Sequence, residues 1–293
     1  MRKINSLMAA ILLFAGTAVD TSGRIVDSSS SSEILSTPLY ECIYEYKVQA
    51  EDKSGEKVSE LYHTILQIGS SCAKFSDYTA YRTDSVSQIK GVDESIRKEY
   101  ENKQYRTSYY FDAKIYQNSP QNKLTVVDVI TPNLFTYEER FPPFSWELSP
   151  DTLSVCGYAC NKATTEYGGR QWIVWYAVDI PVSYGPWKFT GLPGLVLAAR
   201  DSKGIHEFTA ISIRKASVLI TQEKNAKLVA TSREKFIRNK NHFEEDPMHN
   251  IPVESISKME VFRYGDGPKD KSAFINGVQL RMRLNGYTPL ELK

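Results

Sequence analysis

The chain has 293 residues, 41% of them hydrophobic, and its 36 Lys and Arg balance 35 Asp and Glu. That is enough apolar material for a sizeable core, and the near-zero net charge argues against a nucleic-acid partner, which wants a basic stripe. The 18 Tyr against 5 Met favour sheets, because aromatic side chains suit pleated, half-buried surfaces.

Arg2 and Lys3 precede an apolar run from Leu7 to Val19, and Gly16, Thr17 and Ala18 offer a cleavage site. This is the pattern of a secretory signal peptide over residues 1–18. The run is shorter than the roughly 20 residues that cross a bilayer, and no later stretch is long and apolar enough to do so. Residues 19–36, rich in Ser, Thr, Gly and Asp, read as a disordered leader that cannot bury enough surface to offset its ordering entropy. About 255 residues remain for folding. The expected compartment is periplasmic or extracellular.

From Leu39 to Gln49, Tyr40, Cys42, Tyr44, Tyr46 and Val48 alternate with mostly polar residues. This predicts a strand that returns as Leu61–Ile68 in a hairpin. A weaker strand follows over Cys72–Arg82. The charged stretch after Asp84, a candidate N-cap, predicts a helix over Ser87–Glu101, open to interruption at Gly91. Strands are predicted at Tyr105–Gln117, Lys123–Ile130 and Leu134–Arg140, divided by turns at Asn118-Ser119-Pro120 and Thr131-Pro132-Asn133. After the irregular Phe141–Gly157 segment, with a short strand around Trp146 and Leu148, Cys160–Tyr167 and Gln171–Val178 form a hairpin about Gly168-Gly169. Val196–Arg200 and His206–Ile213 form another. A helix over Ser232–Phe243, capped by Ser232, closes the β-rich domain (37–243). Residues 244–293 read as a polar, partly ordered extension. The predicted class is mainly β with minor α (α+β): a curved antiparallel sheet or half-open barrel with one or two helices.

Four cysteines, Cys42, Cys72, Cys156 and Cys160, fit two disulfides in an exported chain. They allow three pairings, among which the sequence does not choose; a local Cys156–Cys160 pair would leave Cys42 with Cys72. Free buried thiols are the alternative, since buried Cys packs as a small hydrophobe.

The segment Ile180–Val196 places three Pro and three Gly within 17 residues, beside Tyr184, Trp187, Lys188 and Phe189. Gly supplies positive φ and close approach, and Pro fixes φ, so the segment specifies one backbone path. Leu192 and Leu195 would plug it into the core. Two readings follow: a fold-defining corner, which the Gly and Pro content favours, or a binding lip made of Tyr184, Trp187, Lys188, Gly191, Leu192, Pro193, Gly194 and Leu195.

The hexapeptide Gly191-Leu192-Pro193-Gly194-Leu195-Val196 resembles the motif that names the GLPGLI-type proteins of Bacteroidetes-like bacteria, with Val in place of the last Ile. The string from Gly157 to Phe189 is similar to the same family. So is Tyr287-Thr288-Pro289-Leu290-Glu291-Leu292, with Thr288 where the family's closing pattern has Asn. The resemblance implies an exported protein. It brings no catalytic residues, because the family's activity is not established.

Chemistry-bearing patterns are sparse. The histidines His63, His206, His242 and His249 hold no metal-ligand spacing, and no nucleophile elbow or phosphate loop occurs; no cofactor or metal is implied. The expected function is an exported binding or accessory protein that shelters an apolar small molecule or docks a peptide or envelope protein. The alternatives are a hydrolase assembled from parts such as His63, Asp179 and Ser183, and a structural envelope component.

Overall fold

The structure is a computed structural model that describes residues 31–51, 54–87, 89, 91–106, 111–224, 227–247, 249–263, 271–281 and 286–293. The predicted signal peptide and leader residues 19–30 lie outside the described residues. The rest of the predicted leader does not behave as a leader: β1 (Ser31–Ser36) is a strand.

The Tyr-rich alternation near the start builds the centre of the molecule. β2 (Pro38–Glu51) and β3 (Lys57–Gly69) form the predicted hairpin, with Tyr44 against Thr64 and Tyr46 against Tyr62. Short β4 (Ala73–Asp77) then gives way to α1 (Tyr78–Ser87) and α2 (Glu94–Arg106). The strand predicted over Cys72–Arg82 is therefore cut at Asp77, whose Oδ1 accepts from the Thr79 and Ala80 N–H groups at 2.8 and 3.1 Å. A carboxylate satisfying two orphan donors starts the helix there, so Asp84 lies inside α1 instead of capping a helix over Ser87–Glu101. Gly91, at φ +73°, separates the two helices. α2 also takes the first residues of the strand predicted over Tyr105–Gln117; residues 107–110 lie outside the described residues, and β5 (Lys114–Gln117) is the part of that strand found among the described ones.

β6 (Lys123–Ile130) and β7 (Asn133–Arg140) complete one meander. A second runs through β8 (Glu147–Val155), β9 (Tyr158–Tyr167), β10 (Arg170–Ala177), β11 (Leu195–Asp201) and β12 (His206–Lys215). Gly168 and Gly169, at φ +63° and +80°, make the β9–β10 turn as predicted. β13 (Ile220–Lys224) pairs with β1, which is what orders the leader's last residues. β14 (Val229–Ala230) adds the single parallel pair among the described residues, on β7. The two meanders join where β2 pairs with β12, Tyr46 opposite Phe208. The result is one twelve-stranded sheet in the order β14-β7-β6-β5-β4-β3-β2-β12-β11-β10-β9-β8. It curves around its core without closing into a barrel.

The inner face carries the main core. Tyr46 stacks on Phe208 with ring centroids 4.2 Å apart, and Trp172, Val174, Leu66 and Phe75 are buried around them. Each such side chain contributes about 2–3 kcal/mol by leaving water. The helix α3 (Arg233–Glu245) covers this face with Phe236 and Ile237, and Ser232 caps it as predicted by accepting from the Lys235 N–H. The extension beyond is ordered in part: β15 (Met259–Arg263), β16 (Lys271–Ile275) and β17 (Val278–Leu280) form a small antiparallel sheet. Ile275 and Leu280 pack there on Phe243 of α3. On the opposite face of the large sheet, Tyr81 of α1 covers Ile43 and Ile65.

All four cysteines are free thiols, which corrects the two expected disulfides. Leu66 stands beside Cys42, and Phe75 beside Leu66. Cys72 is therefore two strands across and three residues along, roughly 14 Å away by ordinary sheet spacings. That is beyond the ~7 Å a disulfide tolerates. Cys156 and Gly157 form the β8–β9 turn at φ +50° and +83°. This holds the Cys156 thiol out in solvent while Cys160, on the strand below, is buried.

Candidate functional site

The Pro- and Gly-dense segment leaves β10 and returns as β11, folded back on itself. The Leu195 N–H donates to Ile180 O at 3.0 Å, the Val196 N–H to Tyr184 O at 3.0 Å, and Tyr184 pairs with Thr190. Two glycines make this path possible. A Cβ on Gly194 would stand 2.2 Å from Ala177 O, and Gly191 sits at φ +90°. Buried Gln117 of β5 fixes the segment from below, its Nε2 donating to Gly185 O at 2.9 Å and to Trp187 O at 2.8 Å.

The predicted lip divides in two. Trp187, Lys188, Leu192, Gly194 and Leu195 point inward and are buried; Tyr184 is half-buried, and Gly191 and Pro193 are exposed. Trp187 and Phe189 pack on Trp172 with centroids 5.4 and 5.1 Å away. Tyr184 and Gly191 face an open groove of about 630 Å³. Its other walls include Phe141, Pro142, Phe144, Trp146, Pro181 and Val182, with Ser70, Asn118, Ser183 and Thr190 as polar points and no charged side chain among the described residues. The groove is held stiffly. Trp146 Nε1–H donates to Thr190 O at 3.0 Å, and Gly191 N–H donates to Ser183 Oγ at 2.9 Å. Phe144 stacks on Trp146 with centroids 5.0 Å apart.

Lys188 meets neither solvent nor a ligand. Its Nζ lies 2.6 Å from Glu139 Oε1, pairs with Glu291 Oε1, and sits 5.4 Å over the Tyr137 ring. Arg233 of α3 completes the cluster, 3.1 Å from Glu139 Oε2 and 2.6 Å from Glu291 Oε2. Burial would lower the Lys188 pKa, but Glu291, with Tyr137, Tyr167 and Glu139, outweighs it and holds the ammonium well above its usual range. The two stretches that the sequence singles out, the hexapeptide region and the closing Tyr287–Leu292, thus meet in one buried ion cluster.

A second cluster lies under α3. Lys240 Nζ donates to Val129 O at 2.6 Å and stands 3.1 Å from Asp128, 3.6 Å from Glu244 and 3.7 Å from Asp112. Arg281 pairs with Asp112. Burial pushes the Asp128 carboxyl up, against the pull of Lys240. Between the clusters is a cavity of about 90 Å³, lined by Tyr46, Phe111, Val126, Phe236 and Leu290 among others. That is well below the roughly 300 Å³ at which small-molecule pockets begin. A third, open cavity of about 420 Å³ lies elsewhere on the sheet, beside Leu153, Cys156, Trp175 and Arg200.

The hydrolase parts are not brought together. His63 Nε2 stands 4.0 Å from Glu45 across the β2–β3 pair, Asp179 is exposed, and Ser183 accepts from Gly191. Among the described residues no group of His, Cys, Asp and Glu could hold a metal ion, and no helix is long and apolar enough to cross a membrane.

The comparisons bear on the same stretch. A family described as "Protein of unknown function (Porph_ging)" matches residues 169–198, from the β9–β10 turn through the hexapeptide. No curated protein matches. Among solved structures, PNGF-II in the P21 space group is similar at 16% identity and a TM-score of 0.46, over 69% of this chain and 33% of that one. Its C2 form is similar at 16% and 0.46, over 79% and 36%. The chain spans about a third of the length of PNGF-II.

Sequence reasoning missed the partners of Lys188. Glu139 reads as part of a strand-end salt bridge with Arg140, and Arg170 as a solvated turn residue. Arg170 is instead buried against Asp201 at 2.8 Å. Nothing local marks either residue, since the partners lie far away in sequence.

Proposed function

We propose that this is an exported binding or accessory protein of the GLPGLI type, which docks an extended, uncharged segment of a peptide or envelope protein in the groove beside Tyr184 and Gly191. The observation that carries the reading is the groove itself. It offers about 630 Å³ of aromatic and proline wall with a few neutral hydrogen-bonding points. Aromatic-lined grooves of this composition suit extended, proline-bearing polypeptide, and a wall already held by hydrogen bonds loses little entropy on binding. Export is supported by the N-terminal charge and apolar pattern and by the family resemblance. Sheltering an acyl chain on the inner face finds no support, because α3 and residues 287–291 fill that face down to about 90 Å³.

The test is selection of ten-residue peptides against the purified protein, followed by titration of those enriched. The proposal expects uncharged, proline- or aromatic-bearing sequences whose affinity changes little with salt. Tyr184→Phe, which keeps the ring's packing on the core, should leave binding within a few-fold, whereas Tyr184→Ala should weaken it tenfold or more at temperatures where its unfolding curve shows the variant still folded. Enrichment of charged peptides, or indifference to Tyr184→Ala, contradicts the reading.

A further inference from the structure

Residues Tyr287–Leu292 lie in a slot built by side chains from distant parts of the fold, and the contacts fall into two kinds. One kind reads main chain. Arg170 Nε donates to Pro289 O at 3.0 Å, His206 Nε2 to Thr288 O at 2.9 Å, Asn241 Nδ2 to Glu291 O at 3.2 Å, and Arg233 to Lys293 O at 3.0 Å. The Leu292 N–H returns a bond to Gly168 O at 2.7 Å. The other kind reads side chains. Arg170 donates to Thr288 Oγ1 at 3.0 Å, Lys188 and Arg233 share Glu291, and Tyr287 sets its ring edge-on to His206. Residues 286–293 themselves form no helix or strand.

This division of labour, main-chain bonds for extended shape and side-chain contacts for sequence, is that of a peptide-recognition site. The slot also uses more buried charge than fastening a segment requires. Arg170, Asp201, His206 and Lys188 are all nearly inaccessible, and buried ion pairs stabilise little compared with apolar packing of the same volume, their best-attested use being to fix one register of the chain.

We propose that this slot is a peptide-binding site specific for an extended segment of the pattern Tyr-Thr-Pro-Leu-Glu-Leu, and that residues 286–293 occupy it as an intramolecular ligand. The inference is independent of the groove at Tyr184. The test uses the whole chain, with a protease recognition sequence placed within residues 282–285 and cleaved after folding. The released peptide should co-elute with the body on gel filtration. A labelled synthetic peptide of residues 286–293 should replace it saturably, and the same peptide carrying Glu291→Gln should compete at least tenfold more weakly. The proposal fails if the peptide leaves a body that stays folded and does not rebind the synthetic one, or if the Gln peptide competes equally. It also fails if the body unfolds on cleavage, which would make the segment part of the core and not a ligand.

Discussion

Lys188, in the Pro- and Gly-dense segment, and Glu291, in the closing segment, form an ion pair in which both side chains are almost out of reach of water. Glu139 and Arg233 make the cluster neutral, with two charges of each sign. Removing one member leaves a buried charge uncompensated, at a cost of about 3–5 kcal/mol. Lys188→Met should lower the urea-unfolding free energy by that amount. Lys188→Met with Glu291→Gln should lose less than the sum of the single changes, because the second substitution removes the charge stranded by the first. Additive losses would mean the pair is not coupled.

Gly194 makes a sharper demand. A Cβ there would stand 2.2 Å from a backbone carbonyl oxygen, whereas one on Gly204 would meet nothing within 4 Å at φ +67°. Gly204→Ala should cost only about 1 kcal/mol, for the left-handed backbone. Gly194→Ala should cost several times more, because backbone must move, and thermal unfolding of the two variants separates these outcomes.

Asp77 predicts a pH dependence. Burial pushes its carboxyl up to about 6, against the hydrogen bonds from Ala80 and Thr79 N–H, while the unfolded chain titrates near 3.9. Between those values the folded state binds more protons than the unfolded one, so this residue's contribution falls as pH rises through the interval and stays low above it. Asp77→Asn keeps a good cap and removes the buried charge. It should stabilise the protein by about 2–3 kcal/mol at pH 7–8, with the gain vanishing below pH ~4. Urea titrations at both ends of the range check the sign.

The thiols predict a reactivity order. Burial pushes Cys42 up to about 12 and Cys160 up to about 11, while Cys156 sits exposed at a turn tip. An aromatic disulfide reagent should titrate Cys156 in the native protein and all four thiols after denaturation. Fewer than four thiols in denaturant would mean that a disulfide forms after all.

The parts of the fold legible in the sequence are those set by local chemistry. The Tyr44/Tyr46 alternation, the Gly168-Gly169 turn and the Ser232 cap each act within a few residues, and all three stand as read. Where the sequence reading failed, a distant partner decided. β1 is a strand because β13 lies beside it, and Cys42 and Cys72 stay apart because β3 runs between their strands. Asp77 starts α1 where the sequence pattern reads as a strand, and Asp84, read as the cap of a later helix, lies inside α1. The Ile180–Val196 segment was visible as a rigid path, but the sequence did not reveal which side chains turn inward. Lys188 lies buried because Glu139 and Glu291 converge on it from distant segments, with Arg233 balancing their second charge.

The most direct test of the docking groove is the tryptophan indole spectrum, recorded by NMR with a selected uncharged peptide added. Trp146 lines the groove, Trp175 lines the other open cavity, and Trp172 and Trp187 are buried, so the four signals, assigned by single Trp→Phe variants, report where the peptide sits. The account predicts a saturable shift of the Trp146 indole with Trp175 unmoved. A shift of Trp175 with Trp146 still, or no shift at either, contradicts it.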